Sequence, residues 1–84
     1  MSNSLIFQLK IKKSKLEKEL NEYSIKITRL LNELAGLSCP YFESISDIEA
    51  EKIEQIGDEL KKVQFEALEV QETLKKISKD LGED

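Results

Sequence analysis

Apolar residues recur at intervals of three and four along almost the whole chain. In the first half Ile6, Leu20, Ile27 and Leu34 share one position (a) of a seven-residue repeat, Leu9, Leu16, Tyr23, Leu30 and Leu37 share another (d), and only Lys13 interrupts the a row. The spacing resumes with Ile53, Leu60, Ala67, Leu74 and Leu81 at a and with Ile56, Val63, Val70 and Ile77 at d. Such spacing gathers these side chains on one stripe of an α-helix, the signature of a coiled coil. Phe7, Leu9 and Ile11 alternate with Gln8, Lys10 and Lys12 as in an edge strand. Helix is the better reading, because Ile6 and Leu9 continue the heptad and a lone strand would have no partner.

Between the two stripes lies the one segment without the repeat, Gly36 to Ser46, which holds the single proline, Pro40. Gly36 suits the left-handed position just past a helix end, with Leu37 as the accompanying apolar contact, and this stops the first helix near Ala35. Ser46-Asp47-Ile48-Glu49 has the form of a capping box and starts the second helix near Asp47. The expected division is therefore a helix over 4–35, a bend over 36–46 and a helix over 47–81, ended by Gly82 and the acidic tail. Two helices of about 50 Å joined by a short bend make a single all-α domain, 1–84, an antiparallel two-helix coiled-coil hairpin.

Folding the chain at the bend sets each a position against a d position of the other helix, in pairs whose residue numbers total 83: Leu20 with Val63, Tyr23 with Leu60, Ile27 with Ile56, Leu30 with Ile53. Beside this seam Lys26 meets Glu59 and Glu33 meets Lys52, both attractive, while Glu19 meets Glu66. Each exposed pair contributes a few tenths of a kcal/mol at most, enough to select a register and too little to hold one. Residues 1–36 carry +3 and residues 37–84 carry −7, which also favours one helix lying on the other. Lys13, opposite Val70, reads as a stem that snorkels out of a layer near the chain ends rather than as a register device.

Composition then removes most chemistry. The chain has no His, no Trp and one Cys, with 36% charged residues against 39% apolar. Without His, and with Cys39 alone, a zinc site, a Cys-His pair, a Ser-His-Asp triad and a disulfide framework are excluded within one chain, so no enzyme, cofactor or metal is expected. The carboxylates of the second helix lie mainly on its solvent side and lack an inward Glu-x-x-His pattern. The apolar runs fall short of the roughly 20 residues of a membrane span, and Met1 to Ser4 lack a signal peptide's basic start, so the expected location is cytoplasmic. Lys10, Lys12, Lys13, Lys15 and Lys18 form a basic cluster, but Glu17, Glu19 and Glu22 follow at once and the net charge is −4. Nucleic acid is not an expected ligand, and neither is an anionic membrane surface.

The two flanks of the seam differ. The g/c flank is densely charged and reads as a solvated face. The e/b flank holds Phe7, Ser24, Thr28, Leu31 and Ala50, then Gly57, Gln64 and Leu68, with Ile11, Ile25 and Phe65 just beyond at f. Small residues there permit close helix approach and the large apolar ones supply anchors, a pattern that points to a protein interface. The expected function is a non-catalytic interaction module that dimerises into a four-helix bundle and acts as a scaffold or adaptor. The alternative is a small chaperone-like or regulatory subunit whose e/b flank covers a helix of a different protein. At the bend, Tyr41 and Phe42 are expected to fold back as a plug on the open core end near Leu34, Leu37 and Ile45. The other possibility is an exposed recognition tip.

Overall fold

The computed structural model describes residues 3–83; Met1, Ser2 and Asp84 lie outside the described residues. Helix α1 runs over Asn3–Leu37, a 3-10 turn over Ile45–Asp47, and helix α2 over Ala50–Asp80, with no strand among the described residues. The two helices pack along each other as a hairpin 67 Å long and 18 by 14 Å across. In both helices every a and d position of the heptad is buried or half-buried, and among the other described helical positions only Gly57, Glu66, Thr73 and Ser78 share that state. The repeat therefore identifies the packed stripe residue by residue.

The helix ends differ from expectation in ways the backbone explains. Gly36 does not adopt a left-handed conformation, and α1 continues through it to Leu37, with the Ser38 amide donating to the Leu34 carbonyl at 2.9 Å. What stops the helix is Pro40, which disfavours the α region for Cys39 before it. The capping box sits two residues earlier than expected. The Ser44 amide donates to Asp47 Oδ2 at 3.0 Å and the Ser46 amide to Ser44 Oγ at 3.4 Å, so the box closes a separate 3-10 turn. Helix α2 begins only at Ala50, and its Glu49 cap makes no side-chain hydrogen bond. At the far end Gly82 has φ +73°, where a side chain would be strained; its amide donates to the Lys79 carbonyl and that of Glu83 to Ser78. This paired closure turns the chain back over the last turn of α2.

The core is thin. Leu30, Ile56, Val63, Ala67 and Ile77 are the buried apolar residues among those described. Leu30, Ile56 and Val63 form one cluster, against which Tyr23, Ile27, Leu34, Leu37 and Leu60 pack. The cluster contains two of the expected facing pairs, Ile27 with Ile56 and Tyr23 with Leu60. At the open end Ile6 and Lys10 border the same groove as Asp80, Leu81 and Glu83, further along the chain than Ile77, the residue expected opposite Ile6.

Lys13 finds its partner beyond the end of α2. It is half-buried at its a position and its ammonium reaches Glu83 Oε1 at 2.5 Å, a bond that raises the lysine's pKa despite partial desolvation. The snorkelling stem thus ends on the carboxylate that the Gly82 turn brings back. Of the flank pairs, Lys26–Glu59 forms at 3.8 Å, while no ion pair joins Glu33 to Lys52 among the described residues. Glu66 lies half-buried beside Tyr23, whose phenol is pushed up by desolvation first and then by Glu66, Glu19 and Glu69.

Candidate functional site

Two surfaces remain once the seam is formed. The first is the e/b flank. Leu31 and Leu68 stand on it about half exposed, Phe7 is 65% exposed, and Ile11, Ile25 and Phe65 at f are exposed beside it. Ser24, Thr28, Ala50 and Gln64 are exposed as well, and Gly57 is half-buried. The Thr28 hydroxyl already donates to the Ser24 carbonyl at 2.9 Å, so it is committed to its own helix. A Cβ added at Gly57 would meet nothing within 4 Å. Glycine inside a helix costs about 1 kcal/mol relative to Ala, and no contact within the hairpin demands it here.

The flank is less uniform than the list of apolar residues suggests. Lys10, Glu17, Glu54, Lys61 and Lys75 also fall at its e and b positions. Its most continuous apolar part is central, around Ile25, Leu31 and the Phe65–Leu68 pair. Phe65 and Leu68 also line a shallow groove along the back of α2 with Glu72 and Lys76. The anchors at f point further from the seam than those at b and e, and thus widen the surface rather than deepen it.

The second surface is the bend, and here the structure overturns the plug. Tyr41 is 87% exposed and Ile45 81%, while Phe42, 52% exposed, lines an open groove with the half-buried Leu37 rather than closing over the core end. The cause is local. Helix α1 runs on to Leu37, and the Ser44–Asp47 box ties the rest of the bend into its own turn, which carries the aromatic pair outward. A groove opens between Leu37, Phe42, Ile48 and Ile53, bordered by Glu43, Asp47 and Glu49. Cys39 is exposed and unpaired. Sequence reasoning missed Ile45 and Ile48 as surface residues because it used Ser46–Glu49 as the cap; the overlapping pair Ser44 and Asp47 was the signal to weigh against it.

Rings this exposed contribute little to folding. Tyr41→Ser with Phe42→Ser is expected to change the stability of the dilute chain by less than about 1 kcal/mol, read from thermal melts by circular dichroism. A loss of about 2–4 kcal/mol, typical of large-to-small changes at buried aromatics, would return the rings to the core end.

Among the described residues no group of three His, Cys, Asp or Glu side chains converges as a metal-ion site, and no helix is long and apolar enough to cross a membrane. Comparison with protein-family models, with curated proteins and with solved structures gives no match to this chain.

Proposed function

We propose that the chain is a non-catalytic protein–protein interaction module, a scaffold or adaptor whose hairpins self-associate through the e/b flank into a four-helix bundle. The observation that carries this reading is the exposure of Phe7, Ile25, Leu31, Phe65 and Leu68 beside a seam that already holds every a and d side chain. A stripe covered on one side leaves each helix with apolar surface that only another chain can cover.

Two magnitudes support it. The accessible surface is 6829 Å², against about 5,100 Å² for a globular chain of this mass. The radius of gyration is 19.1 Å, against about 12 Å for a compact domain of this length. The surplus of about 1,700 Å² per chain is about twice the roughly 800 Å² that each partner contributes to a standard interface. Gly57, open on its outer side, gives a second helix room to approach. The exposed, unpaired Cys39 suits a reducing compartment, and this reading places the protein in the cytoplasm.

The test is the mass in solution, by sedimentation or light scattering. The wild-type chain is expected to be dimeric at tens of micromolar. Leu31→Glu with Leu68→Glu is expected to weaken the dimer by at least about 100-fold while most helical signal persists, since each new carboxylate would be desolvated without a partner. A wild-type chain that is monomeric at that concentration overturns the proposal.

A further inference from the structure

The hairpin is charged differently at its two ends. Over residues 3–18, at the open end, five lysines stand against Glu17, a net of +4; the stretch of α2 beside them, 70–83, has three basic and three acidic groups and adds nothing. Over residues 36–54, at the bend, five carboxylates stand against Lys52, a net of −4. The two ends of the 67 Å rod thus carry equal and opposite charge. Among the described residues, the ion pairs across the hairpin, Lys13–Glu83 and Lys26–Glu59, draw none of the five bend carboxylates and only Lys13 of the five open-end lysines. On the e/b flank itself the outermost charges keep this polarity, Lys10 and Lys75 toward the open end and Glu54 toward the bend, while Glu17 and Lys61 lie further in with the opposite signs.

The exposed apolar residues follow the same ends. Phe7 and Ile11 lie at the open end, and Phe42, Ile45 and Ile48 at the bend, with Leu31 and Leu68 between them. We infer that the occupant of the e/b flank is a second copy of the chain laid antiparallel, so that the bend of each protomer lies against the open end of the other. A two-fold axis through the middle of the flank then brings Lys10 and Lys75 of one protomer level with Glu54 of its partner. It also brings Phe7 and Ile11 level with the apolar bend. The parallel arrangement places like charge on like charge at both ends. At physiological salt charges are screened beyond about 8 Å, so they select the orientation while apolar burial supplies the affinity.

The inference rests on the self-association proposed above, and one labelling experiment separates the two. Cys39 is the only cysteine and is exposed in the bend, so a nitroxide attached there marks one end of each protomer. In the full-length labelled chain, the antiparallel dimer is expected to give a spin–spin distance of about 50 Å, set by the length of the helices. A dimeric mass with a label distance below about 25 Å, adjacent bends on helices packed about 10 Å apart, overturns the orientation and leaves self-association standing. A monomeric mass with no interchain distance overturns both. Growth of the mass without limit as concentration rises means bend-to-open-end stacking in a row, and also overturns the closed antiparallel pair.

Discussion

Leu30→Ala is expected to cost the protein about 3 kcal/mol, while Leu31→Ala, one residue further on, is expected to cost less than about 1 kcal/mol in dilute solution. The two leucines have the same chemistry and the same helix, and differ in heptad position. Leu30 is 2% exposed in the cluster with Ile56 and Val63; Leu31 is 48% exposed on the flank. A chain of this length has a stability of about 4–12 kcal/mol, and a thin two-helix core falls toward the lower figure. Losing Leu30 therefore removes a large share of the margin, and a urea titration followed by circular dichroism measures it directly. The Leu31 effect should grow with protein concentration, because a residue buried only between chains stabilises by mass action. Equal costs at both positions in dilute solution would contradict the assignment of the seam.

In a Cys39→Ser background, Leu30→Cys with Ile56→Cys is expected to oxidise readily within one chain, and Leu30→Cys with Ile53→Cys poorly. A disulfide requires Cα atoms about 4.4–6.8 Å apart, and Ile53 and Ile56 stand about 4.5 Å apart along the helix. Leu30 and Ile56 share the buried cluster and Ile53 is outside it. Closing this loop of about 27 residues should raise the stability of the oxidised form over its own reduced form by about 3.5 kcal/mol. Mass spectrometry after digestion identifies the bridge, and denaturation with and without reductant gives the increment. Efficient closure of the Ile53 pair with failure of the Ile56 pair would place Ile53, and not Ile56, opposite Leu30.

The candidate surfaces were partly legible before folding. The e/b flank follows from position alone, because a stripe of a and d residues defines its own flanks and Phe7, Leu31, Phe65 and Leu68 cannot all be hidden by one neighbouring helix. The bend was not legible in the same way. A plug and a tip use the same residues, Tyr41 and Phe42, and the choice depended on where α1 ended and which serine capped the next turn. Both of those were competitions between neighbouring signals of similar strength. Gly36 against Pro40 decided the first, and Ser44–Asp47 against Ser46–Glu49 the second.

What the sequence by itself determined is which residues form the packed stripe: every a and d side chain is buried or half-buried, from Ile6 to Leu37 and from Ile53 to Leu81, because the period of the α-helix converts a 3,4 spacing into a single stripe. What only the tertiary structure decided is where each helix ends and what the bend presents. Neighbouring cap signals of similar strength differ too little in local energy for the sequence to rank them, so the outcome passes to contacts made in the folded chain. Pro40 ends α1 after Leu37, Ser44 and Asp47 close a turn of their own, and the return at Gly82 brings Glu83 to Lys13.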